Sequence, residues 1–392
     1  MAVRLKPVEN QVIVITGASS GIGLATARLA AERGARLVLV ARNEEALREI
    51  ARDCERRGGR AIPVAADASN REDLERVARV AQETFGGFDS WINNAAVAIY
   101  GRVDEVPIED QRRLFDVNYW GVVYGSLIAA EHLKRRRGGA IINTGSVLSD
   151  RSLIVQGPYS ASKHAVKAFT DALRMELEEE GAPISVTLIK PSAIDTPYME
   201  HARNYLDSAG NNNPPPTYDP HLVARAMLHA CEHPKRDIVV GFGGWAIALF
   251  GNLFPRLTDF VMEKTMVRAQ KSDVPPRPGR RDNLYQPRSD ADERSPHTTT
   301  HRKTSLLLEA QLHPAAAAFV TLAGAGLALA YLFGGRGRRR SERPDHAERG
   351  MPTPYRVRPK RVGNGESHRP VGPGQFPTAK GPGHRSSTLA RH

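Results

Sequence analysis

Along the first two-thirds of the chain, short runs rich in Val and Ile alternate with longer stretches whose apolar residues recur at helical spacing. QVIVIT, ARLVLVAR, RAIPVAADA, DSWINNAA, GAIINTGS, PISVTLIKPS and RDIVVGF read as strands, and intervening segments such as GIGLATARLAAERG and NEEALREIARDCERRG read as amphipathic helices. Strands alternating with helices pair in parallel, because a right-handed crossover returns each strand to the same sheet. The pattern therefore predicts an α/β fold, a Rossmann-type doubly wound parallel sheet with helices on both faces.

The texture changes after Arg268. KSDVPPRPGRRDNLYQPRSDADERSPHTTTHRK has no periodic apolar face and is rich in breakers. This divides the chain into a globular domain over 1–268, a disordered linker over 269–314, an apolar helix over 315–333 and a disordered basic tail over 334–392. The net charge of +12 is then a property of the tail, with its RGRRRSER and YRVRPKRVGNGESHR, while the domain carries mixed signs, and no nucleic-acid partner is expected. Cys54 and Cys231 are too few for a disulfide framework and lack metal-ligand spacing, which leaves buried fillers in a reducing compartment. MAVRLKPVENQ lacks the apolar run of a signal peptide, so a cytoplasmic catalytic domain is expected.

The run from Ala315 to Phe333 holds nineteen uncharged residues. As a helix it reaches about 28 Å, near the ~30 Å of a hydrocarbon core, and Gly324 and Ala328 form a small-xxx-small pair suited to helix association. Orientation opposes a single span, because Arg336, Arg338, Arg339, Arg340 and Arg343 outweigh Arg302 and Lys303 and would hold the tail on the same side as the domain. Membrane attachment is the expectation, as a transmembrane helix whose charge rule is overridden by prior folding of the domain, as a hairpin or interfacial helix, or with the stretch at Trp245 also embedded, against a soluble Ala-rich helix docked on the domain. GGWAIALFGNLFPRLTDFVMEKTM offers a second wide apolar face, with Trp245, Phe250, Phe254 and Phe260, for the substrate pocket, a subunit partner or a membrane surface.

Candidate chemistry begins at TGASSGIG, between the first strand and first helix. Glycines at Gly17, Gly21 and Gly23 permit a tight turn and close backbone approach, and the helix N-terminus presents N–H groups to a pyrophosphate. Gly17, Ser19, Ser20, Gly21, Ile22 and Gly23 are thus candidate cofactor residues. An NAD site calls for an acid at the end of the second strand; here Val40 and Ala41 stand there and Arg42 follows, a guanidinium suited to a 2′-phosphate, so NADP is the expected cofactor. Asp67, after the third strand, is placed either to meet the adenine edge or to cap a helix.

In YSASKHA, Tyr159 and Lys163 fall on one face of a helix. A tyrosine titrating near ~10 needs about 4 kcal/mol of help to ionise at pH ~7, which an ammonium about 4 Å away supplies at an effective dielectric of about 20. Ser146 ends a buried strand where its hydroxyl can hold a carbonyl oxygen beside the tyrosine. Asn118, in DVNYWG, lies inside a long helix, where Asn is a poor helix former and needs a reason.

With these motifs in view, TGASSGIG, NNAA, VNYWG, GS followed by YSASK, and PSAIDTP, the chain from about Gln11 to Val240 resembles the short-chain dehydrogenase/reductases. The resemblance implies a catalytic tetrad: Tyr159 as general acid/base, Ser146 orienting the substrate oxygen, Lys163 lowering the tyrosine pKa and bonding the nicotinamide ribose, and Asn118 holding a relay water. It adds Asn94, Pro191 and Thr196 to the cofactor residues, and implies a homo-oligomer built on the helices carrying Asn118 and Tyr159. Ala96 and Ser192 stand where the family has glycine. The expected activity is NADP(H)-dependent interconversion of an apolar secondary alcohol and a ketone or aldehyde, the alternative being a domain that binds dinucleotide without turnover. TPYMEHARNYLDSAGNNNPPPTYDPHLVARAM reads as the substrate lid, with Gly210 to Pro216 a mobile loop, and Ile99, Tyr100, Leu153, Ile154 and Met199 at the pocket entrance.

Overall fold

The computed structural model describes residues 3–275, 281–288, 291–295 and 301–334. Seven strands, β1 (Val12–Thr16), β2 (Arg36–Ala41), β3 (Arg60–Ala65), β4 (Ser90–Asn93), β5 (Gly139–Thr144), β6 (Ile184–Pro191) and β7 (Asp237–Val240), form one parallel sheet in the order β7-β6-β5-β4-β1-β2-β3. Ile13 is registered against Leu37 on one side and Ser90 on the other. The strand order reverses between β1 and β4, and a crevice opens at the carboxyl ends of those strands.

Both faces are covered. On one, α1 (Gly21–Glu32), α2 (Glu44–Arg56) and α8 (Pro220–Glu232) bury Leu24, Ala27, Leu47, Ile50, Val223 and Met227 against Ile13, Ile15 and Leu37. On the other, α3 (Arg71–Phe85), α5 (Gly121–Arg135) and α6 (Gly157–Glu179) bury Leu74, Val77, Ala129 and Leu173 against Val12, Val14 and Ile141. Local chemistry sets the helix ends: the Asn43 and Asn70 side chains accept from the N–H groups of Ala46 and Asp73 to start α2 and α3, and Gly86, at φ +74°, ends α3.

The long helix expected around Asn118 is not continuous. It runs as α4 (Ile108–Phe115), a π turn over Asp116–Trp120, and α5, so Asn118 occupies a bulge of the kind found at functional sites. Beyond the sheet lie α7 (Tyr198–His201), α9 (Phe242–Leu253) and α10 (Pro255–Ala269). The loop read as mobile is pinned at its start, where Gly210–Asn211 pairs antiparallel with Lys271–Ser272.

The linker over 269–314 is also not a disordered segment in its described residues. Leu284 is fully buried against the substrate lobe, and α11 (Leu306–Leu312) places Leu308 and Leu312 in the main core. Those leucines are spaced i, i+4, and burying each contributes about 1.5–3 kcal/mol. Ser305 starts the helix by accepting from Leu308 N–H. The breakers in between hid this short periodic signal.

The chain divides into two compact units, Met1–Ala328 and Leu329–His392. Of the second only the end of α12 (Pro314–Gly334) is described, and the basic tail beyond it lies outside the described residues. Among the described residues no single helix is long and apolar enough to cross a membrane; the bent pair Leu306–Leu312 and Pro314–Gly324, at 116°, passes by length and composition together.

Candidate active site

Gly17 follows β1 at φ +68°, and a Cβ there would stand 2.8 Å from the Ala95 Cα. Gly23 lets the Gly17 carbonyl pack against α1, since a Cβ would lie 2.1 Å from that oxygen. Thr16 Oγ1 accepts from the N–H groups of Asn94 and Ala95 at 3.0 and 3.1 Å, and the Asn94 amide donates to the Thr16 and Gly17 carbonyls at 3.2 Å. Loop, strand β4 and the start of α1 are thereby locked together.

From this loop a cavity of about 350 Å³ extends to Ser146, Tyr159 and Lys163. Gly17, Ser19, Ser20, Gly21, Ile22, Arg42, Asp67, Asn94, Ser146, Tyr159, Lys163, Pro191 and Thr196 all line it. Gly23 supports it from behind, and Asn118 is fully buried off the cavity. Glycine-lined backbone next to a helix N-terminus suits a pyrophosphate, and Thr144 Oγ1, on the cavity wall, is buried without a partner among the described residues. A dinucleotide fits this donor set.

At the adenosine end Arg42 follows β2 as expected, but its guanidinium already donates to the backbone carbonyls of Asn283, Tyr285 and Gln286 at 2.5, 3.0 and 3.4 Å. A guanidinium carries more N–H groups than these three take. Asp67 does not cap α3, a role that Asn70 fills. Its Oδ1 accepts from the Ser69 N–H and hydroxyl at 2.9 and 2.7 Å and its Oδ2 from Arg113 at 2.7 Å. Although burial alone would raise the Asp67 carboxyl, these donors hold it below its ordinary value. Arg113 was not anticipated; the link across 46 residues joins α4 to the loop after β3 and leaves no trace in local pattern.

At the catalytic end Ser146 starts a short turn, Val147–Ser149, and its Oγ accepts from Leu148 N–H at 3.0 Å. Tyr159 and Lys163 project from the first turns of α6, both buried, and Lys163 Nζ donates to the Thr144 carbonyl at 2.8 Å. The expected lowering of the tyrosine pKa is not what this site produces. Burial raises Tyr159, with the Tyr198 and Ser146 hydroxyls opposing the rise, and burial lowers Lys163 to about 8. Each group moves toward its neutral form because loss of water outweighs their mutual attraction.

Tyr198, passed over within the lid, stacks edge-on to Tyr159 with ring centroids 5.7 Å apart. Its hydroxyl is buried and closes no hydrogen bond of ordinary geometry, although it faces Tyr159 closely enough to favour the Tyr159 anion. Three hydroxyls, on Ser146, Tyr159 and Tyr198, therefore converge at one end of the cavity. The Asn118 side chain is engaged within the fold: its amide donates to the Val97 carbonyl and Ser162 Oγ at 3.0 and 3.2 Å and its oxygen accepts from Val97 N–H at 2.8 Å. With its carboxamide so committed, a relay water would have to sit on backbone oxygen of the π turn. Of the expected entrance residues, Tyr100 and Leu153 line the cavity, Met199 packs on the Tyr100 hydroxyl at 3.2 Å, and Ile99 and Ile154 stand outside it. Ser192, in place of glycine, accepts from Gly244 N–H at 3.0 Å and so ties β6 to α9.

A nucleotide loop at the sheet switch point and a Ser-Tyr-Lys cluster on one cavity define a dinucleotide-dependent oxidoreductase. The family model for short chain dehydrogenases matches residues 11–206. The chain belongs to the short-chain dehydrogenase/reductase family. It is 47% identical over 318 residues to an uncharacterized oxidoreductase of Bacillus subtilis, YxnA, a match covering 81% of this chain and 89% of the relative. A match of that length in 392 residues necessarily runs through residues 281–295. By contrast, an uncharacterized oxidoreductase of Listeria innocua, Lin0452, is 34% identical over 230 residues, which take up 93% of it and 58% of this chain. Among solved structures, L-sorbose reductase from Gluconobacter frateurii complexed with NADPH and L-sorbose is similar with a TM-score of 0.53 and 26% identity, covering 61% of this chain and 97% of that one. An alcohol dehydrogenase from Thermococcus sibiricus complexed with 5-hydroxy-NADP is similar with a TM-score of 0.52 and 26% identity, over 59% and 95%.

Proposed function

We propose that the protein interconverts an apolar secondary alcohol and its ketone, or an aldehyde, with NADP(H). The observation that carries this is the convergence of the Ser146, Tyr159 and Tyr198 hydroxyls in a pocket whose other walls are mostly apolar, with Gln156 there bonded to Gln270 at 2.7 Å. Val147, Leu148 and Leu153 form one side of it, and Ile247, Ala248, Met262 and Met266 of α9 and α10 the other. Arg151, on the same wall, is ion-paired with Asp259. Preference for NADP(H) rests on Arg42 and the missing acid before it, and is supported by the NADPH and 5-hydroxy-NADP held by the two similar structures.

When held by the glycine loop and Lys163, a nicotinamide dinucleotide would supply the hydride for the carbonyl carbon. Ser146 holds the substrate oxygen, and Tyr159 gives that oxygen its proton, or removes it in the reverse direction. A phenol raised by burial is protonated at neutral pH and so is charged for reduction, whereas oxidation needs the rarer phenolate. Lys163, fixed on the Thr144 carbonyl one helical turn from Tyr159, offers a cation to the phenolate left behind, which regains its proton from solvent.

The outer faces of α9 and α10 expose Phe250, Leu253, Phe254, Leu257 and Phe260, and the exposed start of α12 adds Phe319, Val320 and Leu322. Delivery of a lipid-soluble substrate from a membrane surface is consistent with these faces, and assembly of subunits through α5 and α6 with the exposed Trp120, Leu127 and Met175. The test of the whole reading is NADPH consumption with a panel of ketones and aldehydes graded in apolar size. Turnover that rises with apolar size and disappears in Tyr159→Phe is expected, and turnover confined to small, charged carbonyls would overturn the substrate class.

A further inference from the structure

Two described segments of the former linker, 281–288 and 291–295, border the dinucleotide part of the cavity: Asn283, Pro287 and Arg288 line it, and Asp292 and Ser295 bond beside Gly21 and Thr196. At the adenosine end the carbonyls of Asn283, Tyr285 and Gln286 hold Arg42, Arg113 Nε donates to the Leu284 carbonyl at 3.1 Å, and the Asn43 amide donates to the Arg288 carbonyl at 3.2 Å. Tyr285 Oη anchors this piece by donating to the buried Asp110 carboxylate at 2.8 Å. In the middle, the Gly21 N–H in the first turn of α1 donates to the Asp292 carbonyl at 2.9 Å. At the far end the Ser295 N–H donates to Asp195, next to Thr196, at 3.3 Å.

Side-chain latches hold the second piece down. Glu293 takes Arg28 and His221, each at 2.8 Å, and Arg294 donates to Asp219 at 2.7 Å. All are charge-assisted contacts with at least one partner largely shielded from water. The cavity persists beneath, with Asn283, Pro287 and Arg288 in its wall, so these segments enclose the site and do not fill it.

We propose that residues 281–288 and 291–295 form a strap that completes the dinucleotide site, positioning the Arg42 guanidinium and retaining the bound dinucleotide until the latches open. This rests on the reading of the cavity as a dinucleotide site. The strap residues act through Arg42 and the glycine loop, and their effect is on exchange of the dinucleotide, not on the hydride step. The match to the Bacillus subtilis relative is long enough to extend through this region.

The experiment loads the full chain with NADPH, chases with excess NADP⁺ and follows the loss of bound-NADPH fluorescence by stopped flow, for wild type and for Glu293→Ala combined with Arg294→Ala. The double variant is expected to release NADPH at least about tenfold faster with the melting temperature of the dinucleotide-free protein little changed. In parallel, hydrogen exchange of amides 283–295 in the wild type is expected to slow when NADPH binds, a readout independent of any variant's folding. Binding that persists with equal release rates and unchanged exchange would overturn the strap alone. A chain that binds neither NADPH nor NADH would overturn the dinucleotide reading and the strap with it.

Discussion

Lys163 Nζ stands over the ring of Tyr159, 5.7 Å from its centroid, and donates to the Thr144 carbonyl at 2.8 Å. The ammonium is thus held by the end of β5, one turn below the phenol that does the chemistry, and Tyr159 is free to act as an acid. Tyr159→Phe keeps the ring packing against Tyr198 and removes the hydroxyl that carries the proton. Turnover should fall by about 10³-fold or more while NADPH affinity stays within a few-fold, read by steady-state kinetics and fluorescence titration. A variant retaining a tenth of wild-type turnover would displace Tyr159 from its role.

Tyr198 makes a separate, signed prediction. Its hydroxyl favours the Tyr159 anion, so Tyr198→Phe should push Tyr159 further up. In the oxidative direction the rising limb of the kcat/KM profile, which reports deprotonation of Tyr159, should move to higher pH, and the neutral-pH rate should drop. A role in packing alone would lower stability without moving the limb.

Lys163 links the site to stability. Its folded value of about 8 lies below the ordinary 10.5. Between those values the unfolded chain binds the proton that the folded one has released, so stability gains with rising pH across the window. At ~1.4 kcal/mol per unit the lysine contributes a gain of up to about 3 kcal/mol from pH 8 to 10.5. Lys163→Met should lack this term. The difference in stability between wild type and variant, followed by denaturant melts, should therefore shift in favour of wild type as pH rises through that window, and a constant difference would contradict the assignment.

The seven strands, the glycine loop and the Ser-Tyr-Lys cluster were legible, because each depends on residues near one another in sequence. What escaped was long-range. Arg113 meets Asp67 across 46 residues, and Arg42 meets Tyr285 across 243. Breaker-rich composition argued for disorder, but the strap needs no periodic face: it is held by backbone carbonyls and a few ionic latches. Tyr198 was visible within the lid but had no pattern to set it apart from a packing residue. A pairwise Coulomb argument for Tyr159 also leaves out burial, which pushes the phenol up and the Lys163 ammonium down.

Arg42→Asp should lower the NADPH-over-NADH preference in kcat/KM by at least about tenfold, since it removes a phosphate partner and supplies a ribose acceptor. It also places a carboxylate among the carbonyls of Asn283, Tyr285 and Gln286, so the strap should loosen and NADH release should be fast. An unchanged preference would show that the 2′-position is read elsewhere.

The packing of α11 determines how membrane attachment must be tested. A chain cut at Lys303 loses Leu308 and Leu312 from the core, along with the Gln311 side chain that donates to the Val239 carbonyl at 2.9 Å and accepts from its N–H at 2.9 Å beside β7. Such a protein would change its partition simply by unfolding. Ending the chain at His313 keeps these contacts and removes α12 with the arginine-rich segment after it. If α12 and its flanking cations attach the protein to lipid, the full chain should sediment with vesicles containing anionic phospholipid and the version ending at His313 should stay in the supernatant, with equal NADPH affinity in both. Residual binding by the shorter version that is lost on Phe254→Ser with Leu257→Ser would assign the remainder to the α9–α10 face, since both side chains are more than half exposed, at 52% and 54%, and contribute little to the core. Identical partition of the full and shortened chains into the supernatant would leave α12 without a membrane role.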